Sequence, residues 1–141
     1  RREIEVAVVP TSQRLGMGQL VYSPLAQGVL TGKYKPGEAP PRNTRATEES
    51  GKKFVANFMS DDYLERAQKL VALAEQHGTD ATRMALAFVL KNQGVSSVLV
   101  GARHAQQLDH NLLALDVELS DDCMAELDAI FPVADPARLF S

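Results

Sequence analysis

The chain has 141 residues, 45% apolar, 23% charged and 6% aromatic, which excludes collagen-like, low-complexity and strongly disordered classes and allows about one domain. Fifteen Lys and Arg against eighteen Asp and Glu give a formal charge of −3, so there is no global electrostatic pull toward nucleic acid. Cys123 is the single cysteine, which excludes an intrachain disulfide and a cysteine-based metal site, and the longest apolar runs, such as Val98 to Val100, are too short to span a bilayer.

The opening Arg1-Arg2-Glu3-Ile4 carries neither an initiator methionine nor a secretory leader. It predicts a chain cut from something longer, with a cytoplasmic origin as the default. Residues 3–15 predict a helix stopped by Gly16 and Gly18, with Pro10 forcing either a kink or a late start. Gln19 to Ser23 is short and apolar and is halted by Pro24, which predicts a buried strand. From Pro24 to Ser60 no period persists, and Gly, Pro and charges crowd together, which predicts a long functional loop or lid.

Regular structure returns after Ser60. A helix capped by Ser60 or Asp61 is expected to run to Gly78, and a second, capped by Thr79, to end near Gly94. Val95 to Gly101 is β-branched with a glycine exit and predicts a second strand. His104 to Leu115 and Ser120 to Ile130 predict two more helices, and the tail from Pro132 has no period. Strands separated by helices imply parallel pairing and an α/β architecture. Two strands alone do not close such a core, so the pattern predicts part of a larger sheet or barrel.

Two segments, each just after a predicted strand, could carry chemistry, because ligands of α/β folds bind at that edge. Tyr22-Ser23-Pro24-Leu25-Ala26-Gln27-Gly28, with Lys33 beyond, offers a flat ring, a hydroxyl, backbone amides and a cation. These groups suit a stacked ring and a pyrophosphate, and equally describe a strand end with a turn. Gly101-Ala102-Arg103 feeds a helix N-terminus, and Gln107 and Asn111, four apart, share one helix face that could meet a purine edge. The plain alternative there is a surface arginine with solvated amides.

Together these segments, YSPLAQGVLTGKY and Gly101-Ala102-Arg103 with Gln107 and Asn111, resemble the C-terminal half of the aldo-keto reductases. The branch resembled is the one that includes the β-subunits of voltage-gated potassium channels. The resemblance covers nearly the whole chain, residues 1–141 forming the C-terminal portion of one (β/α)8 TIM barrel with a cofactor loop at about 24–60 and the N-terminal half absent. It implies NADPH as cofactor and a small aldehyde or ketone as substrate, with no nucleic acid, no membrane span, and room for a homo-oligomer.

Carried over by position, the resemblance places Tyr22 on the nicotinamide. Ser23, Pro24, Leu25, Ala26, Gln27 and Gly28 then line the pyrophosphate side, with Lys33 and Arg45 as charge partners. Gly101 and Arg103 hold the adenosine phosphate, and Gln107 and Asn111 the adenine. His110 stands where relatives often carry Glu. The family's catalytic Asp, Tyr, Lys and His come from the other half of the barrel, so no catalytic residue is assigned to this chain. His104 and His110, six apart, lack the spacing of a helical ligand pair and no metal is expected, while Asp61-Asp62 and Asp121-Asp122 fall at predicted helix starts as complements of the dipole. Two alternatives stand beside the enzyme: an NADPH-binding regulatory module with little turnover, and an inactive half barrel.

Overall fold

The computed structural model describes residues 1–133 and 135. A 3-10 turn at Glu3–Glu5 precedes α1 (Val8–Arg14), strand β1 (Gln19–Tyr22) and a kinked 3-10 stretch at Ala26–Thr31. Helices α2 (Glu49–Val55), α3 (Asp61–Gln76) and α4 (Ala81–Leu90) follow, then β2 (Val95–Leu99), α5 (Ala105–Leu112) and α6 (Asp121–Ile130). Pro10 resolves as the late start. It sits in the first turn of α1, where its missing N–H is one the helix does not use.

Two expectations are corrected. Asp80, not Thr79, caps α4, its carboxylate accepting from the Thr82 and Arg83 amides. A carboxylate with two free oxygens outcompetes a hydroxyl one residue earlier, and Thr79 Oγ1 is left buried without a partner. The stretch from Pro24 to Ser60 is not uniformly irregular, because α2 and a 3-10 turn at Ala56–Phe58 lie within it. Tyr34, in the loop before α2, is buried at the centre of a cluster with Val29, Val55, Leu64 and Ala67. The aperiodic tail lies mostly outside the described residues.

The core is built on α3. Its Leu64 and Ala67 face the Tyr34 cluster, while Leu70, Leu73 and Ala74 pack with Met84 and Ala85 of α4 and Cys123 and Leu127 of α6. These positions recur at helical spacing and so share one face of a helix that remains charged on the other. Arg2 ties the start of the chain to α6, with Nη1 at 2.5 Å from Asp128 Oδ1 and 2.9 Å from the Phe131 carbonyl.

β1 and β2 pair in parallel, Leu20 against Ser97, Val21 against Val98 and Tyr22 against Leu99. Alternation then separates two faces. Val21 and Val98 are half-buried on the side where α4 packs, whereas Leu20, Tyr22, Ser97 and Leu99 are exposed on the other. Both strands deliver their C-terminal ends to the same edge of the pair.

Candidate functional site

That edge carries a groove of about 960 Å³, bounded by the turn after β1, the loop before α2, the exit of β2 and the start of α5. The first wall begins where β1 ends. The backbone turns left-handed at Ser23 (φ 55°), Ala26 (46°), Gln27 (60°) and Gly28 (94°). Three of these are not glycine, and such strained runs persist only when their surroundings hold them. Here Gln27 Nε2 donates to Ser23 Oγ at 2.8 Å, and Thr31 Oγ1 donates to the Gly28 carbonyl at 2.8 Å.

Gln27 also reaches outward, its Oε1 accepting from the Arg45 guanidinium. One side chain therefore braces the strained turn and positions a cation of the loop. Gly28 makes room for another: a Cβ there would lie 2.9 Å from Lys33 Nζ. That ammonium sits 5.3 Å from the centre of the buried Tyr34 ring, whose hydroxyl has no hydrogen-bond partner.

The second wall starts at Leu99 and Val100 and passes through Gly101 into α5. The Arg103 amide donates to Gln107 Oε1 at 2.7 Å, so a side chain from the first turn reaches back to cover a free N–H before the helix. The Arg103 guanidinium crosses to the opposite loop, Nη2 lying 2.6 Å from Glu48 Oε2. The hydrogen bond to Glu48 pushes the arginine further above its already high range. Deeper along α5, His110 Nε2 lies 3.0 Å from Asp80 Oδ2 and links the helix to the cap of α4. Burial works against the charge on Asp80, but the bonds from Arg83 and His110 outweigh it and hold its pKa below the ordinary 3.8.

Eleven of the thirteen residues singled out in the sequence line this groove: Ser23, Pro24, Leu25, Gln27, Gly28, Lys33, Arg45, Gly101, Arg103, Gln107 and Asn111. Tyr22 and Ala26 do not. Tyr22 belongs to the open face of the strand pair and is 80% exposed, while Ala26 turns toward the Tyr34 cluster. The register partner of Tyr22, Leu99, does line the groove. Sequence reading missed Glu48 and Thr82. Glu48 sits in an aperiodic acidic stretch with no spacing signal, and Thr82 is simply carried to the groove by the turn that Asp80 caps.

The arrangement offers three cationic side chains, Lys33, Arg45 and Arg103, two primary amides on one face of α5, and backbone amides at a turn. Such a lining grips an extended anion with a flat polar end. Among the described residues no three His, Cys, Asp or Glu side chains converge as metal ligands, and no helix is long and apolar enough to cross a membrane.

The family model described as the aldo/keto reductase family matches residues 1–131. Protein tas of Escherichia coli (strain K12) is 40% identical over 141 aligned residues, covering 94% of this chain and 37% of that protein. A probable voltage-gated potassium channel subunit beta of Arabidopsis thaliana is 36% identical over 117 residues, 83% of this chain and 35% of that protein. L-glyceraldehyde 3-phosphate reductase of Escherichia coli O157:H7 is 36% identical over 124 residues, 86% of this chain and 35% of that protein. The chain thus spans little more than a third of the length of the curated relatives it matches.

Proposed function

The chain belongs to the aldo/keto reductase family, and from that premise we propose that it forms the NADPH-binding part of an enzyme reducing aldehydes or ketones to alcohols. The observation that carries the reading is the single groove in which two segments some eighty positions apart meet, one rich in cations and the other ending in paired amides. We infer further that β1 and β2 are two strands of a parallel (β/α)8 barrel. The exposed face bearing Leu20, Tyr22 and Leu99 suits a barrel interior, where side chains from other strands would cover it.

The lining fits a nicotinamide dinucleotide phosphate in size and donor set. A groove of about 960 Å³ is at the upper end of small-molecule sites, as an extended dinucleotide needs. Lys33, Arg45 and the amides near Gln27 and Gly28 would take the pyrophosphate. Arg103 would take the ribose phosphate, and Gln107 and Asn111 the adenine. Tyr22, paired with the lining residue Leu99, would face the nicotinamide. When bound, the cofactor supplies a hydride to the carbonyl carbon. The residues of this chain bind and orient it, and the group that protonates the carbonyl oxygen is assigned to none of them.

Titration of the full-length protein with NADPH, followed by nicotinamide fluorescence, tests the reading. Saturable binding that Arg45→Ala and Arg103→Ala each weaken supports it; absence of binding by the folded protein overturns it. In the full-length protein, consumption of NADPH with a panel of aldehydes would establish the reductase. Tight binding with no turnover would favour a regulatory nucleotide-binding module.

A further inference from the structure

Glu48 is the residue at the N-cap position of α2, yet its carboxylate makes no cap hydrogen bond with that helix. It lies instead across the groove, 2.6 Å from the guanidinium of Arg103, a residue 55 positions away. The groove's other arginine is treated differently. Arg45 rests on the neutral amide oxygen of Gln27 and keeps its full charge for a ligand. Arg103 is matched by a carboxylate, which an incoming anion must compete with for the guanidinium.

We propose that Glu48 is a specificity-determining residue, an internal counter-ion that a ligand phosphate must displace from Arg103. This rests on the nucleotide reading above. The pair is half exposed, 49% for the Arg103 side chain and 37% for Glu48, and ion pairs of that kind are weak and easily exchanged. A phosphate presents more charge and the same forked geometry to the guanidinium, so it wins the exchange, but against a constant handicap. A ribose without phosphate has no reason to disturb the pair and bears no handicap. Glu48 therefore lowers the preference for the phosphorylated nucleotide below what Arg103 alone would give.

The test uses two probes, adenosine 2′,5′-bisphosphate and AMP, titrated calorimetrically into the wild-type full-length protein, Glu48→Gln, Arg103→Ala and the double variant. Glu48→Gln keeps the shape of the side chain, and a thermal melt checks that each variant is folded. We expect Glu48→Gln to tighten the bisphosphate by about two- to fivefold, the range of an exposed ion pair, and to leave AMP unchanged. In the Arg103→Ala background the same change should do nothing, because the competition no longer exists. An unchanged ratio, or weaker bisphosphate binding in Glu48→Gln, would show that Glu48 does not compete but orients Arg103, and would overturn the proposal. Binding of neither probe by the folded wild type would remove the nucleotide reading and this inference together.

Discussion

Gly51 lies against the backbone of Arg45 so closely that a Cβ on it would sit 2.6 Å from the Arg45 carbonyl oxygen and 2.8 Å from its Cα. This contact docks α2 onto the loop and fixes where the Arg45 side chain starts. An alanine in a helix interior normally gains about 1 kcal/mol over glycine. Here the obstacle is backbone, which cannot rotate aside, and overpacking of this kind costs about 1–3 kcal/mol. Gly51→Ala is therefore expected to lower the melting temperature and to weaken NADPH binding by displacing Arg45. A variant that is more stable and binds normally would show that the contact relaxes freely.

Asp80 joins four groups: the amides of Thr82 and Arg83 at 2.9 and 3.1 Å, Arg83 Nε at 2.5 Å and His110 Nε2 at 3.0 Å. Asp80→Ala should cost about 1–2 kcal/mol at neutral pH, as loss of a helix cap does. The carboxyl titrates below its ordinary 3.8, so its contribution is fully present above that value and is lost as pH falls through the lower folded value. Urea unfolding at descending pH should show wild-type stability converging on that of Asp80→Ala in this acid range. A constant gap between the two would contradict the linkage.

Cys123 follows Ser120, whose hydroxyl accepts its amide at the start of α6, but the thiol itself is completely buried against α3 and α4. Burial pushes the thiol above its ordinary range, and Glu126 adds to the effect, so a helix start does not make a nucleophile here. A thiol reagent should label Cys123 only at the rate at which the chain unfolds. Rapid labelling of the native protein would mean that α6 opens locally.

Leu127, one turn further along α6, is also fully buried in that cluster. Leu127→Ala should cost about 2–5 kcal/mol, the loss of buried methyls plus an unfilled cavity. The urea midpoint would fall with little change in slope. A shift well under 1 kcal/mol would mean that α6 contributes little to the fold.

The helical part of this architecture was legible because α3, α4 and α6 announce themselves by spacing. Leu64, Ala67, Leu70, Val71 and Ala74 recur at helical spacing, and Ser120 with Asp121 and Asp122 marks a start. Helix α2 was not, since Gly51 breaks its propensity and its stability comes from Val55 entering the Tyr34 cluster, a tertiary fact. Most of the candidate site was legible through two short motifs. Glu48 was invisible because its importance lies in a partner 55 residues away, and Tyr22 was grouped with the lining by its motif although its exposed ring is no part of the groove wall.

The two walls of the groove are joined by a parallel pairing whose partners, such as Tyr22 and Leu99, are separated by most of the chain. Closing so long a segment carries an entropic cost that is recovered only when the strands finally align, whereas α3 and α4 gain contacts from near neighbours. The helical layer is thus expected to assemble before the groove. A ligand bridging both walls would hold the final step in place. Slowed unfolding in its presence would then report on strand pairing more directly than any signal from the helices.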